Sequence, residues 1–167
     1  MKMSIDLDND FSKVVAIKVV GVGGGCGNAV DHMCNSGMSS VEFVSVNTDI
    51  QALRFSSATY KLHIGDKLTR GMGAGGDPTK GHDTPKGIYR LAYKARDQVL
   101  EGQGYASPVK YWMPFVDGCG FHDADWRDRF GGSIYKGDGS HGCLNLPPSV
   151  AKQLYDMIEA GTAILIY

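Results

Sequence analysis

The sequence predicts an α/β, Rossmann-like N-terminal segment joined to a mainly β segment of α+β type. Three observations predict it. VVAIKVVGV (Val14–Val22) is a nearly continuous apolar run ending in glycines, the pattern of a buried parallel strand. RGMGAGGDPTKGHDTPKG, from Arg70 to Gly87, has no hydrophobic periodicity and divides the chain. Beyond it the apolar runs are short and strand-like, with one helical pattern near the end.

Residues 1–13 (MKMSIDLDNDFSK) are polar and acidic and form a flexible lead-in. After the first strand a helix is expected from Asn28 to about Ser36, stopped by Gly37. VEFVSVNTD (Val41–Asp49) predicts a second strand and Tyr60–Ile64 a short third. Strand, glycine loop, helix, strand is the opening of a doubly wound unit. In the second segment Ile88–Tyr93, Val109–Val116 and Ala163–Tyr167 are expected strands. Val150, Leu154, Met157 and Ile158 share one face of a helix over Ser149–Glu159, with Pro147 and Pro148 ahead of it and Gly161 closing it. The expected division is therefore 1–13, 14–80 and 81–167.

Composition narrows the function. The 167 residues are 43% hydrophobic and 21% charged, a globular balance. Up to Lys80 there are 8 basic and 8 acidic side chains, and beyond it 9 and 10, so neither segment has the basic footprint of a nucleic-acid binder. No apolar run approaches the ~18 residues of a membrane segment. The N-terminus has neither the apolar core nor the cleavage site of a secretory signal, which places the chain as written in the cytoplasm. Four cysteines in that setting argue against a disulfide framework.

The chemistry concentrates in one stretch. His122 is followed, after 17 intervening residues, by Ser140-His141-Gly142-Cys143-Leu144-Asn145. A thiol is nucleophilic as thiolate, and an isolated one with a pKa of ~8.5 is mostly protonated at neutral pH. An imidazole nearby takes the proton or stabilises the thiolate. Gly142 leaves room for a carbonyl substrate and lets N–H groups near Cys143 face a developing oxyanion. These parts suit acyl transfer through a thioester. Spacing alone leaves two other readings open. Cys143 is then a small buried hydrophobe, or Cys119, His122, His141 and Cys143 together ligate zinc.

Resemblance separates these readings. His122, the spacer and SHGCLN resemble the signature of the L,D-transpeptidase (YkuD-type) catalytic domain. DTPKGIYRL, SPVKYWMPF, GFHDADWR, FGGSIY and LPPSVAKQLYD extend the likeness over Gly81–Tyr167. The family implies peptidoglycan cross-linking. Cys143 attacks the L,D peptide bond ahead of the terminal D-Ala of a stem peptide, releases D-Ala, and is resolved by the amine of a second stem. No cofactor is required. The resemblance makes His122 the general base, oriented through the backbone at Asp123, and sets His141, Gly142 and the Cys143 N–H around the oxyanion. Tyr111, Trp112, Ser140 and Asn145 are candidate substrate contacts, with core aromatics the alternative for the first two. Arg127 and Arg129 are read as solvated charges rather than carboxylate ligands. The family's opening strands are missing, which predicts an unpaired sheet edge.

The glycine loop carries a second resemblance. AIKVVGVGGGCGNAVDHM, FVSVNTDIQAL and IGDKLTRGMGAGGDPTKG resemble the start of the tubulin-like cell-division GTPase FtsZ. Glycines and a helix N-terminus suit phosphate. By that resemblance Gly23, Gly24, Gly27 and Asn28 belong to the first nucleotide loop, Asn47 and Asp49 to the second, and Gly73, Ala74, Gly75 and Gly76 to a third. Cys26 stands where the family usually has glycine. The GGGTGTG loop does not occur in the sequence. The expectation is feeble GTP binding at most, no GTPase activity, and FtsZ as a second candidate partner beside peptidoglycan stem peptides. The chain looks like an apparent chimera joined near Asp77–Asp83. Three functions follow: an acyl-transfer enzyme, a nucleotide- or FtsZ-binding module, and a non-functional hybrid.

Overall fold

A computed structural model of the chain describes residues 17–64, 81–102, 104–130 and 134–166. The first apolar run forms β1 (Ile17–Val22), whose last three residues are buried. Helix α1 (Gly24–Asn35) starts inside the glycine loop, four residues earlier than predicted, with Gly23 at φ 90 as its N-cap. The turn after it contains Gly37 at φ +80, the left-handed conformation that glycine supplies without a steric penalty. β2 is Val41–Asn47 and β3 is Tyr60–His63. Between them lies α2 (Ile50–Phe55), which the sequence reading missed. Asp49 is its N-cap and accepts hydrogen bonds from the backbone N–H of Gln51 at 2.8 Å and Ala52 at 3.3 Å.

The second segment supplies β4 (Gly87–Arg90), β5 (Ala95–Gly102), β6 (Tyr105–Val116) and β7 (Cys119–Asp123). A single turn of helix α3 (Tyr135–Asp138), then β8 (Leu144–Leu146), α4 (Pro148–Met157) and β9 (Ala163–Ile166) complete the described chain. The turn from β6 to β7 is Asp117-Gly118, with φ 39 and 75. That Asp-Gly pair, with two positive φ angles, is the signature of a tight hairpin.

Among the described residues two sheets form, ordered β3-β2-β1-β9-β4 and β5-β6-β7-β8. In the first, β1 pairs in parallel with both β2 and β9, β2 pairs in parallel with β3, and β4 runs antiparallel to β9. The N-terminal segment and the last strand therefore share one sheet. β9 is paired on both sides, by β1 and β4, while β4 itself stands at the sheet edge. One apolar cluster joins the two expected segments. Val20, Val22, Val44 and Val46 are buried with Leu91, Met113, Phe121, Leu146, Leu154 and Ile164. A smaller cluster of Val30, Phe43 and Ala58 seats α1 on β1 and β2. No described helix is long and apolar enough to cross a membrane.

Candidate active site

β7 carries the histidine, and the turn ahead of β8 carries the cysteine. The two strands run in parallel with Phe121 opposite Leu144 and His122 opposite Asn145. The fold thus closes the gap of 17 residues between the two motifs by placing their strands side by side. Gly120 makes this possible on the other side. A Cβ there would meet the Met113 carbonyl oxygen at 2.6 Å and the Trp112 ring at 2.7 Å.

His122 is buried. Its Nδ1 lies 2.8 Å from the backbone oxygen of Asp123. With its amide oriented to suit both neighbours, Asn145 donates to His122 Nε2 at 2.9 Å. Its oxygen then accepts from Arg127 Nε at 3.1 Å and Nη2 at 3.3 Å. These contacts select the neutral imidazole with the proton on Nδ1 and the lone pair on Nε2. Burial pushes the His122 pKa down, against the raising effect of the Asp123 backbone bond. Trp126 stacks on the imidazole with centroids 5.9 Å apart and Trp112 tilts against it at 6.0 Å.

The Asp123 carboxylate is buried and ties β7 to β6. Its Oδ1 accepts from the backbone N–H of Lys110 at 2.9 Å and of Tyr111 at 2.8 Å. The backbone of Asp123 orients the imidazole and its side chain holds the strand.

Around Cys143 the chain folds on its own polar groups. Ser140 Oγ donates to the Cys143 carbonyl at 2.6 Å and accepts from the Gly142 N–H at 3.1 Å. In this arrangement the Gly142 N–H is engaged by Ser140 rather than turned to an oxyanion, and Ser140 shapes the turn. Thr84 Oγ1, also buried, donates to the Gly142 carbonyl at 2.8 Å. Gly142 adopts φ +113, a conformation that disfavours any side chain. The Cys143 thiol donates to the Gly118 carbonyl at 3.6 Å and makes no hydrogen bond to His122.

A second thiol stands beside the first. Cys119 and Cys143 are both free cysteines and neighbours at the same end of β7 and β8. Each thiol is the largest influence on the other, so the first proton of the pair leaves more easily and the second is held back. Cys119 is lowered to about 7 by the neighbouring Cys143 thiol, and Cys143 is pushed well above the ordinary thiol range by Cys119 and by burial. The charge belongs to the pair.

Both cysteines line a cleft of about 540 Å³ with His122, Trp112, Asn145 and Arg127. His141 lies on its rim, stacked on Tyr105 with ring centroids 5.2 Å apart and against His82 at 4.4 Å. Tyr111 is elsewhere. It is buried in the core against Tyr155, with Arg96 over its ring at 5.0 Å, so the two aromatics proposed together part company. Arg127 is no solvated charge: its side chain is 11% exposed and lies against Asn145 and Asp138. Arg129 is exposed. Among the described residues no group of three or more His, Cys, Asp or Glu is arranged to hold a metal, so the four spaced zinc candidates do not gather as one site. Thr84, Trp126 and the thiol role of Cys119 escaped the sequence reading. The Thr-Pro segment and the Asp-Gly turn were the available signals.

The glycine-loop residues sit at the far sheet. The Gly23 N–H donates to the Val46 carbonyl at 2.9 Å and the Gly27 N–H to the Gly23 carbonyl at 3.1 Å. Gly24 and Asn28 are exposed. Asn47 Oδ1 accepts from the Asp49 N–H at 3.0 Å while Asp49 caps α2. Cys26, which stands where the FtsZ family usually has glycine, is buried and donates to the Leu165 carbonyl at 3.2 Å. Gly73, Ala74, Gly75 and Gly76 lie outside the described residues.

Comparison with known proteins adds a family. The YkuD family, the L,D-transpeptidase catalytic domain, matches residues 50–166, reaching back past the expected join near Asp77–Asp83. An Enterococcus faecium L,D-transpeptidase, solved as a crystal structure of a cysteine-to-serine mutant, is 42% identical. Its TM-score is 0.53, over 58% of this chain and 40% of that one. The Ldtfm–avibactam carbamoyl enzyme is similar at 42% identity and TM-score 0.53, over 60% and 40%. The NMR structure of the catalytic domain from E. faecium is 44% identical with TM-score 0.51, over 57% of this chain and 77% of that domain. The chain spans about 40% of the length of the first two. None of these matches lends support to the FtsZ resemblance of the N-terminal segment.

Proposed function

The chain belongs to the L,D-transpeptidase catalytic-domain family, and from that premise we propose that its cleft performs cysteine-mediated acyl transfer on peptidoglycan stem peptides. The observation that carries this reading is the shared cleft. Cys143, His122 and Asn145 line it together, with the His122 lone pair on Nε2. The Cys143 sulfur attacks the carbonyl carbon of the L,D peptide bond, and its proton passes to His122. The Cys143 N–H faces the oxyanion. Collapse breaks the C–N bond, His122 returns the proton to the departing D-Ala amine, and a thioester remains. The amine of a second stem then attacks the thioester. His122 takes its proton, and the Cys143 thiol is released. No step calls on a cofactor. The relative solved as an avibactam carbamoyl enzyme supports covalent chemistry at such a site.

Members of the family act outside the cytoplasm, and no comparison supports the cytoplasmic expectation drawn from residues 1–13. Asn47 and Asp49 direct their side-chain oxygens to local N–H groups.

Incubation of the reduced full chain with a carbapenem, followed by intact mass spectrometry, tests the reading. A stoichiometric adduct that Cys143→Ser abolishes is expected. A folded chain that stays unmodified overturns it.

A further inference from the structure

Acyl transfer through Cys143 leaves Cys119 without a task. Its position is nonetheless constrained. Phe121 lies opposite Leu144 in the parallel β7–β8 pair, so Cys119 and Cys143 arrive at the same end of the two strands. A Cβ on residue 142 would come within 2.7 Å of Cys119 Sγ, so the sulfur occupies the space that Gly142 leaves open. The Cys143 thiol points back at the carbonyl of Gly118, the residue before Cys119. Both residues line the same cleft, Cys143 the more exposed and Cys119 buried behind it, so a small molecule meets Cys143 first with Cys119 next to it. Thiol–disulfide exchange needs a thiolate, access and a second thiol to resolve the mixed disulfide.

We propose that Cys119 and Cys143 form a dithiol site that takes up small-molecule disulfides of the glutathione disulfide type and closes into an intramolecular disulfide. One thiolate of the pair attacks a sulfur of the small disulfide. The S–S bond breaks, and one small thiolate leaves and is protonated. The second cysteine loses its proton and attacks the protein sulfur of the mixed disulfide, expelling the second small thiol. Two protein thiols are oxidised and one small disulfide is reduced to two thiols. The lowered first proton loss of the pair favours the opening attack near neutral pH. The consequence for acyl transfer rests on Cys143 being the acyl acceptor: in the closed form its sulfur is bonded and no thioester forms.

The test incubates the reduced full chain with glutathione disulfide, quenches with an alkylating agent, and reads intact mass and a peptide map. The expected product is two hydrogens lighter, with peptides containing Cys119 and Cys143 linked and with the link reversed by dithiothreitol. Cys119→Ala and Cys119→Ser, checked for folding by circular dichroism, should stop at the glutathione mixed disulfide on Cys143. A wild-type chain that accumulates only the mixed disulfide overturns the proposal, as does a link mapping to Cys26 or Cys34. Carbapenem acylation measured alongside should fall in proportion to the oxidised fraction and return on reduction. If the disulfide forms and acylation persists, the dithiol site stands and the acyl-acceptor role of Cys143 fails.

Discussion

His122 Nδ1 lies 2.8 Å from the carbonyl oxygen of Asp123, its neighbour in β7. A carbonyl only accepts, so Nδ1 carries the proton. Asn145, donating to Nε2 at 2.9 Å, requires the same tautomer from the other side. The two contacts therefore hold the imidazole in one neutral tautomer, with the proton on Nδ1 and the Nε2 lone pair accepting from Asn145.

Burial adds a pH signature. It lowers the His122 pKa below its ordinary 6.5, so the folded chain binds this proton less readily than the unfolded chain. The stability contribution is present above 6.5 and is lost as pH falls through the lowered folded value. An NMR titration of the imidazole should give a midpoint below 6.5. Acid unfolding of His122→Gln should be less steep in that window. A midpoint at or above 6.5 would contradict the buried, neutral assignment.

Asn145 connects His122 to Arg127, and its replacement separates orientation from charge. Asn145→Ala removes the donor at Nε2 and the acceptor for Arg127. Carbapenem acylation should slow on the order of 10–100-fold, as expected when a catalytic group loses its positioning. Asn145→Asp keeps an acceptor for Arg127 and places a carboxylate beside the imidazole, which should raise the His122 pKa. Unchanged acylation in the alanine variant would remove Asn145 from the positioning of His122.

Thr84 is the clearest case of a residue whose importance the structure revealed. Its hydroxyl reaches the Gly142 carbonyl across a separation of 58 positions. Thr84→Val keeps the shape and leaves that carbonyl without its partner in a buried setting. The loss should be about 1–3 kcal/mol in urea unfolding, the cost of an unsatisfied buried group. Acylation should slow as well, because the turn before Cys143 loosens. A variant as stable as wild type would show that the carbonyl finds another donor.

What the sequence disclosed follows how local each signal was. β1, β2, β3 and β9 were legible because Val, Ile and Leu crowd into short runs. β5 was not, since ARDQVLEG is mostly exposed and polar, and Asp97 at φ 53 interrupts its alternation. β8 has three residues, too few for any period. His122 and Cys143 were legible as a pair by motif. Cys119 was visible, but only the parallel pairing of β7 with β8 gives it a sulfur neighbour. Tyr111 and Trp112 are adjacent in a strand, and alternate faces sent one into the core and the other to the cleft.

The shared sheet yields the prediction that reaches furthest. β9 takes its parallel partner from β1, with Val19 to Val22 opposite Ala163 to Ile166. Val20, Val22, Val44, Val46, Leu62 and Ile64 all belong to the main buried cluster. Burying each contributes roughly 1.5–3 kcal/mol, so together they supply on the order of 10 kcal/mol, comparable with the net stability of a whole domain at about 5–15 kcal/mol. Residues 81–167 expressed alone lose all of it and leave one side of β9 unpaired. That fragment should show collapsed amide dispersion in an NMR correlation spectrum and no carbapenem adduct, while the full chain shows a dispersed spectrum and the adduct. A well-dispersed spectrum from the fragment would mean that the second segment carries its own sufficient core, and that β1 and β2 are an addition to the catalytic fold rather than part of it.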